Sequence, residues 1–254
     1  GISTADIRAA LEGRGGDHRV SAHLAYHPGM VPPVPAARLP RLGLAAGMLT
    51  GRVQPLVGGS ALLPRGRGDA AFLRALGDTL QNDQGWVDHP ATWMIAADVR
   101  TGERVALDHD TPATLGDAIA ASWGIPGWFP PVRIGDRDLM DGGAFSTASA
   151  DLLLDAEVDE VVIIAPMTSH GGAPGRGWAR AERLLRSAMT KRLDAEVDLL
   201  TQAGVRVIRI EPTLSELDAM GPNFMDVRRR EATITAASAA LPTTISTILE
   251  GAQA

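Results

Sequence analysis

Residues 121–150 read ASWGIPGWFPPVRIGDRDLMDGGAFSTASA, and this stretch decides how the rest of the chain is read. Leu139 and Met140 bring an apolar strand end up to Asp141-Gly142-Gly143, so a carboxylate stands where the chain must turn. The two glycines lack a Cβ, which permits positive φ and close approach of neighbouring backbone. A carboxylate held on such a turn by a rigid scaffold is well placed for chemistry. The competing account is an Asx-turn, in which Asp141 bonds its own backbone and does nothing more. Just upstream, Val132-Arg133-Ile134 and Asp138-Leu139-Met140 flank Gly135-Asp136 as a small hairpin.

Outward from this stretch the pattern alternates. Thr111 or Thr114 caps a helix that runs through Trp123. Before it, Thr92 to Val99 and Arg104 to Leu107 flank Thr101-Gly102 as a second hairpin. Asp69 to Gln81 is an amphipathic helix, with Phe72, Leu73, Leu76 and Leu80 on one side. His27 to Pro40 is dense in proline and excludes regular structure, and apolar Leu42 to Val57 reads as a loose helix or a flap. The role of the whole stretch from His27 to Leu63, packed surface loop or membrane-docking flap, stays open. Ile2 to Glu12 is a short helix capped by Ser3 or Thr4.

Downstream, Val161 to Ala165 is a continuous apolar, β-branched run, which predicts a strand buried on both faces. Trp178 to Gln202 is a long helix ending at Gly204, and Val205 to Ile210 is a strand closed by Pro212. This helix–strand alternation predicts an α/β layered fold with a mainly parallel central sheet, in one domain over 1–254.

Composition narrows the function. The chain has 254 residues, 45% of them apolar, and a formal charge of −6. It is globular, and its acidity argues against nucleic acid as a partner. Cysteine is absent, which excludes disulfides, thiolate metal sites and a cysteine nucleophile. Lys191 is the single lysine among 24 cationic residues. There is no signal peptide and no apolar run long enough to span a membrane, so the expected location is the cytoplasm or a membrane periphery. Nothing in the sequence speaks to oligomeric state.

The run Ala121-Ser122-Trp123-Gly124-Ile125-Pro126-Gly127-Trp128-Phe129-Pro130-Pro131, then a hairpin, then Asp141-Gly142-Gly143, resembles the second half of the patatin-like phospholipase family. Ser149 to Leu152, opening the next helix, and Val161 to Met167 extend the resemblance, which covers roughly Thr92 to Ala240. It implies a three-layer α/β/α fold and a serine acyl hydrolase with a Ser–Asp dyad, acting on phospholipid or other acyl esters without metal or cofactor. It also implies Asp141 as general base, Gly142 and Gly143 as the supporting turn, and peripheral membrane contact as an option. An unperturbed Asp is a feeble base, so the site must raise its pKa by desolvation. Apolar Leu139, Met140 and Phe145 suit that need.

The chain departs from the family in one respect. No Gly-x-Ser-x-Gly elbow occurs in it. Gly1-Ile2-Ser3-Thr4-Ala5 ends in Ala and lacks the strand that holds such a strained turn, so Ser3 reads first as an N-cap and second as a nucleophile. Ser60 in Gly58-Gly59-Ser60 reads as loop. The Gly-rich oxyanion loop is missing too. The expectation is a domain incomplete at its N-terminus, with the first core strand, the oxyanion loop and the nucleophile upstream of Gly1. On that expectation this chain alone forms no acyl-enzyme.

Other constellations are weaker. His23 and His27 are four apart, but Pro28 breaks a helix there and no Glu lies between them, so no metal site is expected. His89 and His109 adjoin aspartates in turns, and His170 follows a core strand in a glycine-rich loop. Trp123, Trp128 and Phe129 read as core or as acyl-pocket wall. The rival to the enzyme is a non-catalytic protein of the same fold that binds lipid or a protein partner.

Overall fold

A computed structural model of the chain describes residues 1–26, 66–89, 91–169, 172, 179–223 and 225–251. His27, the proline-rich stretch that follows it, Ser60 and His170 lie outside the described residues. The described chain forms two compact units, Gly1–Phe145 and Ser146–Ala254.

The first unit opens with two short helices, α1 (Thr4–Leu11) and α2 (His18–Ala25). Ser3 and Asp17 cap them, each accepting a first-turn N–H with its side chain. The amphipathic pattern after Asp69 becomes α3 (Ala71–Leu80), and Thr114 caps α4 (Leu115–Ser122) by accepting from the Asp117 N–H. The two helices pack closely because glycines meet: a Cβ on Gly77 would fall 2.4 Å from the backbone of Gly116.

Both predicted hairpins form. Strand β1 (Met94–Asp98) pairs with β2 (Arg104–Leu107), turning through Gly102 at φ 76°, and β3 (Val132–Ile134) pairs with β4 (Arg137–Asp141), turning through Gly135 at φ 57°. β1 and β4 then pair antiparallel with Ala96 opposite Asp141, which gives the order β2-β1-β4-β3. The expectation of a mainly parallel sheet fails in this unit: all four strands are antiparallel. Short connections, five residues between β1 and β2 and two between β3 and β4, return the second strand of each hairpin antiparallel beside the first, whereas a parallel return needs a long crossover. Leu73, Trp86, Leu107, Leu115, Phe129 and Leu139 fill the core beneath α3 and α4.

In the second unit β5 (Glu160–Ile164) and β6 (Arg206–Ile210) pair in parallel, joined by α5 (Ala179–Gln202), so here the predicted parallel geometry holds. Val161 and Ile163 pack with Leu193 and Leu200 of α5. The strand is not buried on both faces, however: Val162 and Ile164 are 53% and 74% exposed. An unbroken apolar run does not reveal how many faces of a strand are covered. Ser149 to Leu152 opens only a 3₁₀ turn, Ala150–Leu153, with Ser149 left-handed at φ 52°. Helices α6 (Leu214–Met220) and α7 (Arg230–Gly251) complete the unit.

Candidate active site

The site is built around the end of β4. Its Leu139 and Met140 are buried on opposite faces, in separate core clusters, and β1 covers one edge of the strand. Asp141 is the last strand residue and also the cap of a 3₁₀ turn, Gly142–Ala144. Its carboxylate accepts the Gly143 N–H at 2.8 Å, and its own N–H donates to the Gly124 carbonyl at 3.2 Å. The hairpin thus delivers Asp141, and the loop after α4 anchors its backbone.

Of the two uses expected of the glycines, φ freedom and close backbone approach, the second is the one found. Neither Gly142 nor Gly143 adopts a positive φ. A Cβ on Gly142 would lie 2.7 Å from the Ile95 carbonyl oxygen, and one on Gly143 would lie 3.0 Å from the Asp141 carboxylate. Glycine is required here for close approach, first to strand β1 and then to the acid itself.

Asp141 is half-buried, and burial pushes its carboxyl up from 3.8 to about 6, against the lowering effect of the Gly143 N–H bond. Buried Met140 and Phe145 flank the turn on either side. Removing water from the charged form is the cause of the shift. A raised folded-state pKa means that the folded chain holds this proton more tightly than the unfolded chain. The ionised carboxylate therefore costs stability, from nothing below about pH 4 to its full value above about pH 6. Asp141→Asn, which keeps an oxygen for Gly143, is expected to match the original chain in thermal denaturation at low pH. Above pH 6 it is expected to be more stable, by up to about 3 kcal/mol.

The other sequence candidates are not drawn to this acid. The Ser3 hydroxyl accepts from the Asp6 N–H at 3.1 Å and donates to the Asp6 carboxylate at 2.6 Å, as a helix cap does. His109 lies 3.4 Å from the Asp110 carboxylate, with both side chains largely exposed. His23 stacks on Phe72 at 5.4 Å, and the described residues hold no cluster suited to a metal ion. Trp123 and Phe129 pack at 5.8 Å in an aromatic group with Phe72, so they serve the core.

Sequence reasoning missed Glu196 and a group of arginines on α5. Glu196 is buried, and it accepts the Ala150 N–H at 3.0 Å and Arg192 Nε at 2.9 Å. Burial raises its pKa. An available signal was its place on one helix face with Leu193, Val197 and Leu200, where an acid needs fixed partners.

Among the described residues no helix is long and apolar enough to cross a membrane. No curated protein and no solved structure matches the chain. Residues 46–154 match the family model for patatin-like phospholipases, the family that the stretch around Asp141 resembles. The matched segment carries the strand-end acid and its two glycines, so the chain is similar to that family there.

Proposed function

We propose that this chain carries the acid half of a lipid acyl hydrolase, with Asp141 as general base of a Ser–Asp dyad. The nucleophilic serine comes from a Gly-x-Ser-x-Gly elbow on polypeptide preceding Gly1. The observation that carries the reading is the half-buried carboxylate at the end of β4, which burial pushes up to about 6. A base is most effective when its pKa lies near the working pH, and an ordinary aspartate is too acidic for that.

The chemistry needs no metal. Asp141 takes the proton from the serine hydroxyl as the serine oxygen bonds to the acyl carbonyl carbon. Backbone N–H donors of the oxyanion loop hold the negative oxygen that results. The intermediate collapses by breaking the carbon–oxygen ester bond, and the departing alkoxide recovers the proton from Asp141. Water then attacks the acyl-serine with Asp141 again as base, releasing the fatty acid and restoring the serine. The substrate class is phospholipid or another acyl ester, and the layered α/β/α arrangement is completed by the upstream strand.

The test is active-site labelling with a fluorophosphonate. The chain from Gly1 is expected to remain unlabelled, and the complete encoded polypeptide is expected to be labelled at an elbow serine. Labelling of Ser3 would overturn the assignment. So would a complete polypeptide without an elbow, which would favour a non-catalytic lipid- or protein-binding role.

A further inference from the structure

We infer that the second unit carries an anion pocket, separate from Asp141, that binds a phosphate oxyanion. It does not depend on the hydrolase reading. The pocket is a cavity of about 490 Å³ between the loop at Ser169 and Gly172 and the first turns of α5. This volume lies in the range of small-molecule sites. Four cations, Arg180, Arg183, Arg186 and Lys191, line it against one carboxylate, Asp194. Asp194 already accepts from Arg209 at 2.6 Å. Arg180, Arg183, Ser187, Lys191 and Asp194 recur at steps of three or four, so a single helix face presents them.

The floor is built in advance. Arg186 is only 2% exposed; it pairs with Glu182 at 2.7 Å and donates to the Pro166 and Thr168 carbonyls at 2.7 and 3.1 Å. The Ser169 N–H donates to the buried Thr190 hydroxyl at 3.0 Å, which fixes the loop to the helix. Arg183 is mostly buried and faces Glu182 at 3.0 Å and Asp218 at 3.8 Å, yet its buried Nε–H has no acceptor among the described residues. A buried donor without an acceptor is costly, and an oxyanion in the cavity supplies one. Several cations gathered at one cavity suit a multiply charged oxyanion such as phosphate better than a singly charged carboxylate, although guanidinium forks match the geometry of both. The cavity exceeds what one phosphate fills, leaving room for the group esterified to it. Leu184, 73% exposed, also lines the pocket.

A phosphate can arrive free or as a lipid headgroup. The test therefore has two arms, run on the protein and on Arg180→Glu/Lys191→Glu, which changes only exposed side chains. The first arm is calorimetric titration with inorganic phosphate. The second is co-sedimentation with vesicles of phosphatidylcholine alone and of phosphatidylcholine mixed with phosphatidic acid. The expected result is binding that the double variant weakens about tenfold or more, in line with the loss and reversal of charge-assisted contacts. Binding of inorganic phosphate assigns a soluble ligand; binding only to the phosphatidic acid vesicles assigns a headgroup. If the original protein binds neither, or the variant binds as tightly as the original, the inference is wrong. Should the double variant lose its circular dichroism spectrum, Lys191→Gln serves in its place, with a smaller loss expected.

Discussion

Asp141→Asn in the complete encoded polypeptide is expected to lower kcat/KM for a soluble acyl ester by about 10³- to 10⁴-fold, the scale of losing a general base and its nucleophile activation together. The fold survives this change, because asparagine still offers an oxygen to the Gly143 N–H and removes a carboxylate that burial disfavours. Loss of activity without loss of stability separates a catalytic acid from a turn-forming one. An aspartate that only forms an Asx-turn shows a different pattern: asparagine forms the same turn, and Asp141→Asn leaves turnover unchanged. Stopped assays at several pH values, with folding followed by circular dichroism, check both halves of this expectation.

The second large effect concerns stability. Arg186→Ala is expected to destabilise the second unit by about 3–5 kcal/mol, the usual cost of removing one partner from a buried ion pair. Glu182 would remain buried, with Arg183 as its neighbour, and the Pro166 and Thr168 carbonyls would lose their shared donor. Urea denaturation measures the change. Replacing both members, Glu182→Leu with Arg186→Met, is expected to cost less than Arg186→Ala, since no charge is then left unpaired. A single replacement costing under about 1 kcal/mol would show that the pair does not hold the loop.

Local signals carried most of what could be read beforehand. Both hairpins, the caps at Ser3 and Thr114, and the helix after Asp69 follow from turn glycines, short polar caps and apolar spacing. Strand pairing was not legible, because Ala96 meets Asp141 across more than forty residues and no local pattern encodes that register. The exposed face of β5 was missed because Val162 and Ile164 look in sequence like their buried neighbours Val161 and Ile163. At the acid, the sequence placed Asp141 at a strand end before a tight turn, and offered its glycines both φ freedom and close backbone approach without choosing between them. Packing shows the real constraint, the Ile95 carbonyl against Gly142. The arginines of α5 were passed over because charged residues along a long helix ordinarily face solvent. Arg186 and Arg183 became visible only when burial was known.

The general-base assignment is tested most directly by the pH dependence of kcat/KM for the complete polypeptide on a soluble acyl ester. An acid limb with a midpoint near 6 is expected, following the raised Asp141 carboxyl, and its loss in Asp141→Asn along with nearly all turnover. Activity that stays flat from well below to well above that midpoint, or a limb that persists in Asp141→Asn at undiminished rate, would contradict the assignment.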